Sequence, residues 1–337
     1  MPLFPLGVTY LPHTSPVLNI FEPRYRQMYN DILFNGARRF MVCNVDPDTG
    51  RLAETGVRAA PTHQALHRAS AQSLGGDAVR RGANTSLTCH RASGCLQVIF
   101  YLDELKEVSE QTGDRVKYVG QHSVKGRVKL LKVLNPSVAA TRETYLKAEV
   151  EELTDTDADE DATTAEEELR TLFHELVDVQ AALGEEPRFT EAVKETLQFG
   201  RGSGDEDKGL WGTVLLWQQF LEQRASVVGQ KMQREIQKEV VSYLKNNDIN
   251  TDKVNSRGEM RLEDLPEELR NEITSIQRRY REELEAMESD PYGLQFQALL
   301  QSDAHTARIE VFKQIIDTER KRLAARQTLQ SMFKASD

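Results

Sequence analysis

Short apolar runs broken by proline open the chain, and long apolar stripes with a period near 3.6 close it, so the pattern predicts a β-rich first part and a helical second part. Five of the eleven prolines fall in the first 23 residues, which excludes interior helix and leaves Leu3 to Leu11 and Val17 to Phe21 as strand pieces. The period then changes. Pro23 stands where a first helical turn tolerates proline, and Tyr25, Met28, Tyr29, Ile32 and Leu33 follow on one face, closed by Asn35-Gly36. Phe40 to Val45 reads as a strand, Asp46 to Gly50 as a tight turn and Arg51 to Gly56 as the returning strand. Val98 to Leu102 is strand-like. Lys117 to Leu134 alternates, with Val124, Gly126, Val128 and Leu130 opposed to Lys125, Arg127 and Lys129, and Tyr145 to Leu153 alternates again.

Beyond residue 168 every pattern is helical. Leu169, Leu172, Phe173, Leu176 and Val179 mark one helix, and Val214, Trp217, Leu221, Val228, Met232, Ile236, Val240 and Leu244 a long second one. After a polar loop from Asn246 to Glu259, Asp264 and Pro266 open a helix striped by Leu269, Ile273, Ile276, Tyr280, Leu284 and Met287. A last helix runs from about Ala304 to Phe333, through Ile309, Phe312, Ile316 and Leu323. Such stripes bury themselves against one another, which predicts a bundle that includes Trp211 and Trp217. The predicted class is α+β: a mostly antiparallel sheet or open barrel with one helix, followed by an α-helical bundle.

Two stretches interrupt the pattern. Val57 to Gln97 holds one acidic residue, five arginines, no aromatic residue and eight alanines without either period. So few large apolar groups cannot offset the ordering entropy, and residues 57–97 read as a disordered insertion. From Glu149 to Glu168 there are eleven acidic residues and no basic one, so residues 154–168 read as a solvated linker between a β-domain (1–153) and the bundle (169–337).

Composition narrows the function. The 337 residues carry 43 Lys plus Arg against 53 Asp plus Glu, a net charge of −10, so nucleic acid is not an expected partner, although Lys125, Arg127, Lys129 and Lys132 make one basic strand face. No apolar run approaches the roughly 20 residues of a membrane span. Three cysteines without a CxxC pair argue against a disulfide scaffold. The start has the pattern of neither a signal nor a transit peptide, so the expectation is a soluble intracellular protein, either kept in the cytosol or directed by a targeting segment upstream of this sequence.

Motifs for chemistry are approached but not completed. Gly202-Ser203-Gly204-Asp205-Glu206-Asp207-Lys208 lacks the GKS or GKT ending of a phosphate loop and sets three carboxylates where phosphate would sit. Asp155, Asp157, Asp159 and Glu166 have calcium-loop spacing, as do Asp248, Asn250, Asp252 and Glu259, yet Glu160 and Lys253 occupy the position that needs glycine. His63, His67, Cys89 and Cys95, with His90 to spare, match no common zinc order. His122, His174 and His305 are candidate bases with no GxSxG or HExxH motif to support them. The expectation is no cofactor, no metal and no catalytic residue.

One signal is specific. Pro2-Leu3-Phe4-Pro5-Leu6-Gly7-Val8, Leu11-Pro12 and Leu18-Asn19-Ile20-Phe21-Glu22-Pro23-Arg24-Tyr25-Arg26 closely resemble the opening of the Lon N-terminal, substrate-binding domain. Arg39-Phe40, Asp48-Thr49-Gly50, Gly126-Arg127-Val128 and Tyr145-Leu146 keep the family's order, and Leu294 to Arg326 looks like its helical end. The resemblance implies a PUA-like β-domain followed by helices. It also implies a stand-alone protein of bacterial, plant or algal type, without ATPase or peptidase modules, that recognises or docks protein substrates in protein quality control. In that family a short connection would replace residues 57–97, which suggests a recent insertion or retained intron sequence carrying no function.

Phe21, Glu22, Pro23, Arg24 and Tyr25 are then mainly scaffold: Phe21 would end a strand in the core, Pro23 would start the helix, and Arg24 or Arg26 would pair with Glu22 or cap carbonyls. Exposed members of the set Tyr10, Phe21 and Tyr25 would contribute to a peptide-binding surface. The expected partner is a protein or an unfolded polypeptide, and the alternative is a scaffold that docks one defined partner through its helices. Relatives in photosynthetic organisms suggest a plastid; the sequence leaves compartment and oligomeric state open.

Overall fold

The computed structural model describes residues 1–6, 8–44, 96–203, 207–246, 266–287 and 292–334. The turn at Asp46 to Gly50, the strand at Arg51 to Gly56, the five candidate zinc ligands, the loop after Asn246 with its calcium-like spacing, and Asp264 lie outside them.

The strands are β1 (Pro2–Leu6), β2 (Val17–Ile20), β3 (Arg39–Asn44), β4 (Leu96–Glu107), β5 (Tyr118–Val133) and β6 (Leu146–Leu153). β1 pairs with β3 in parallel, and β3 with β4, β4 with β5, β5 with β6 and β6 with β1 antiparallel, so five strands close on themselves. The mostly antiparallel sheet that the pattern predicts, flat or as an open barrel, is thus closed into a barrel. β5 is long enough to serve two neighbours on one edge: its start pairs with β2, Ile20 opposite Tyr118, and its end with β6. Register shifts at Ile99/Phe100, Leu102/Glu104 and Leu130/Lys132 supply the bends that closure needs.

Leu3, Met41, Cys43, Ile99, Val128, Leu130, Leu146 and Ala148 fill the barrel. The alternate residues Phe4, Phe40 and Phe100 point outward and are covered by α1 (Pro23–Phe34), whose Tyr25 stacks on Phe4 at 4.1 Å between ring centroids and whose Tyr29 meets Phe40 at 5.7 Å. Both faces of these strands are buried, which is why Phe40 to Cys43 and Val98 to Phe100 read as continuous apolar runs rather than alternations. β4 begins at Leu96, two residues inside the segment expected to be an insertion. Single-turn helices α2 (Ser109–Thr112) and α3 (Val138–Thr141) follow β4 and β5.

The later helices are α4 (Thr163–Leu183), α5 (Val193–Thr196), α6 (Leu210–Asn246), α7 (Glu267–Met287), α8 (Tyr292–Gln301) and α9 (His305–Lys334). The chain divides into two compact units, Met1–Trp217 with Pro291–Asp337, and Gln218–Asp290. This is not the division expected from composition, because the barrel, the acidic run, α4 and the C-terminal helices share one unit. Within it α4 and α9 run side by side in the same direction, joined by Glu168–Lys313 at 2.6 Å, Glu175–Arg320 at 2.9 Å and Glu185–Arg326 at 2.5 Å. Phe173 of α4 is surrounded by Phe189, Phe199, Trp217 and Phe312, at ring-centroid distances of 5.4 to 6.4 Å. Gly209 holds the turn into α6 at φ +54°, where a Cβ would come within 2.3 Å of the Gly200 carbonyl.

The second unit is a helical hairpin. Leu244 and Ile273 are buried together under Val240 and Tyr243, and Glu239 accepts two hydrogen bonds of 2.6 Å from Arg279.

Two expectations about charge are corrected. The acidic run is not a free linker: Asp157 is buried and residues from Thr163 onward are helix, while Asp159, Glu160 and Asp161 are exposed. Arg127 is not on an open basic face but is buried in the same cluster of ions.

Phe173 is fully buried and ringed by four aromatic side chains, so Phe173→Ala is expected to lower stability by about 3–5 kcal/mol. Urea unfolding followed by tryptophan fluorescence would measure it.

Candidate functional site

The corner where β2 passes into α1 carries the signature residues. Along β2, Leu18 and Ile20 turn inward while Val17 and Asn19 turn out; continuing the alternation puts Phe21 on the outer face as well. Phe21 is 52% exposed and Val17 56%. Phe21 therefore does not end a strand in the core; Ile20, one residue earlier, takes that place. Tyr25 is buried on Phe4, and Tyr10 is half-buried, its ring edge-on to Phe100 at 5.1 Å. Of the three residues proposed for peptide contact, Phe21 alone is openly presented.

The corner is rigidly built. Pro23 starts α1, as its fixed φ favours. Arg24 donates to Glu22 at 2.8 Å and lies 4.5 Å over the Tyr25 ring. Arg26 donates through Nε to the Phe21 carbonyl at 2.9 Å and through its two terminal nitrogens to the carboxylate and backbone carbonyl of Asp114. Asp114 sits at φ +59° in the turn before β5, so one guanidinium ties the β2–α1 corner to the β4–β5 connection.

Behind the corner, His122 of β5 lies among Tyr29, Phe40 and Phe100. Its Nδ1 is 3.2 Å from the Pro16 carbonyl, which can only accept, so Nδ1 carries the proton and Nε2 accepts from the Tyr29 hydroxyl at 2.7 Å. Burial lowers its pKa to about 4, against the opposing pull of the Pro16 carbonyl and Asp103. Gly120 leaves room for this ring, since a Cβ there would stand 2.8 Å from His122 Cε1.

The acidic residues of calcium-like spacing are committed elsewhere. Asp155 accepts from Arg127 at 2.6 Å and from Arg308 at 2.6 and 3.1 Å, and Arg127 also donates to the carbonyls of Leu300, at 2.8 Å, and Ser302. Asp157 accepts from Arg201, from the Thr306 hydroxyl and from the backbone N–H groups of His305 and Thr306, all at 2.8 Å, and so caps α9 from a distant part of the chain. Glu166 is bonded to His305 at 3.0 Å. Burial works to raise the pKa of both aspartates, but these donors outweigh it and hold each below the usual carboxylate range. Burial likewise lowers Arg127 to about 10, with Arg308 adding to the effect. Among the described residues no three His, Cys, Asp or Glu side chains converge as a metal site would require, and no helix is long and apolar enough to cross a membrane. Neither His122 nor His305 is bonded to a serine; Tyr29 and Glu166 are their side-chain partners. The reach of Arg26 to Asp114 and the partners of Asp155 and Asp157 carry no local sequence signal, since they lie far apart in the chain.

No family model matches the chain, and no curated protein does. Among solved structures, the crystal structure of a Lon N-terminal domain protein from Xanthomonas campestris aligns with 64% of this chain and 96% of its own, at 19% identity and a TM-score of 0.30. A likeness at that level leaves function to the residues of this chain.

Acid should act in two stages. His122 is held neutral in the fold while an unfolded His titrates near 6.5, so the unfolded chain takes up the proton first and stability falls as pH drops from about 6.5 towards about 4. The full window amounts to about 3 kcal/mol at most. Asp155 and Asp157, depressed in the fold, contribute stability above about pH 4 that is lost as pH falls further. Burial lowers His305 as well, so it adds to the upper stage, and urea unfolding at stepped pH should show His122→Gln reducing that stage while leaving the lower one unchanged. Asp157→Asn should cost about 1–3 kcal/mol at neutral pH and reduce the lower stage, to which Asp155 still contributes.

Proposed function

We propose that this chain is a non-catalytic protein-binding module that recognises or docks protein substrates, holding extended or partly unfolded polypeptide in protein quality control. The observation that carries the reading is the outer side of β2. Among the described residues β2 pairs with β5 alone. The His122 N–H bonds to the Pro16 carbonyl, which sets the phase of the ladder: even-numbered residues of β2 face β5, and Val17 and Asn19 direct their N–H and C=O groups away from it. An extended chain added at such an edge gains main-chain hydrogen bonds whatever its sequence, and Val17 and Phe21 offer apolar contact to its alternate side chains. The resemblance of the opening run to the Lon N-terminal domain supports the same reading.

A second reading, a scaffold that docks one defined partner through its helices, is favoured by exposed apolar residues there. Leu329 of α9 is 56% exposed, and in the hairpin unit Val227 is 41% and Val241 37% exposed.

Binding of a permanently unfolded polypeptide, such as reduced and carboxymethylated α-lactalbumin, would be measured by fluorescence anisotropy. Phe21→Asp and Val17→Asp are each expected to weaken it about tenfold with little change in stability, and Asn19→Pro, which removes one outward N–H, by a similar factor. Unchanged binding in all three variants would sink the proposal. Loss on Leu329→Asp instead would favour the scaffold.

A further inference from the structure

We propose that Asn19 sets the class of segment taken at the β2 edge: an extended stretch with a neutral amide or hydroxyl side chain at its centre and a large apolar side chain two residues to either side. The inference rests on the β2 reading and names what that edge selects. Asn19 is exposed in the middle of β2, although asparagine is depleted in strands. Breaks of local preference of this kind are expected at functional sites. Its surroundings give the amide nothing to bond. A side chain on one face of a sheet meets those two positions along the strand and the one directly across. Along the chain these are Val17 and Phe21, both apolar and half exposed. Across from it, in the β2–β5 register, stands Val119, again apolar. The same row reaches a polar group only at Lys106 of β4, one strand further off. Three of the four places around Asn19 are thus filled by hydrocarbon, and the fourth is the open edge. The Asn19 amide has no hydrogen-bond partner among the described residues.

A segment added at that edge puts one side chain in the fourth place. In either strand direction the residue beside Asn19 lies between those beside Val17 and Phe21, two positions from each. A neutral amide or hydroxyl there gives Asn19 its partner. An apolar side chain would close hydrocarbon round an unpaired amide, and a charged one would itself lose water between Val17 and Phe21. The footprint is short: Arg26 holds the Phe21 carbonyl at 2.9 Å, so the outward ladder has no acceptor past Asn19.

Competition against fluorescently labelled, carboxymethylated α-lactalbumin on the full chain, followed by anisotropy, tests this with two peptides. One is Gly-Ser-Leu-Thr-Asn-Thr-Leu-Ser-Gly, and the other has leucine in place of the central asparagine. General apolar binding favours the leucine peptide. The asparagine peptide is expected to compete about threefold better, as a cross-strand pair of ordinary strength gives. Asn19→Val, a good strand former at an exposed position, should invert the order, which damage to the fold would not. Equal competition would leave Asn19 only a guard against edge pairing and would overturn the proposal. So would tighter binding of the leucine peptide, failure of both peptides to compete, or an Asn19→Val variant that keeps the wild-type order. Phe21→Asp should weaken both peptides alike, and if it does, the β2 reading stands whatever their order, so the two claims fail separately. If Phe21→Asp weakens neither, both claims fall.

Discussion

Two aspartates hold together parts of the chain that the sequence keeps far apart. Asp155 neutralises Arg127 on the barrel and Arg308 on α9, and Asp157 joins Arg201 to the first turn of α9. Taking ions out of water costs several kcal/mol each, and the cost is offset only where each charge meets good partners. Here both oxygens of each aspartate are engaged, and Arg127 spends further donors on carbonyls at the end of α8. The cluster therefore contributes specificity of assembly more than raw stability. It permits one seating of α8 and α9 beside the barrel, because any slip would leave a buried charge alone.

With the helices anchored by that cluster, the barrel can leave an edge strand open. β2 adds no wall to the closed ring and is held by β5, the inward Leu18 and Ile20, and the Arg26 clamp on the Phe21 carbonyl. An apolar edge of this kind invites aggregation unless it is short. β2 has four residues, enough to start a ladder with an incoming chain and too few to propagate one. Behind it lies the aromatic layer that packs around the neutral His122.

Much of this was legible in the order of residues, and what was not has one physical cause. The spacing of Tyr25, Met28, Tyr29 and Ile32 after Pro23 specified α1 because a helix is local, and all four are buried as the stripe requires. Arg127 read as solvent-facing because alternation says nothing of what lies beyond the strand; its partner carbonyls are 173 and 175 residues away. Asp155 and Asp157 read as solvated for the same reason, their bases being three distant arginines. Phe21 was misplaced by one position, and in a strand one position exchanges core for surface. Tyr10, Phe21 and Tyr25 are chemically alike in sequence, so only the fold could separate the one on display from the two turned inward or half-covered.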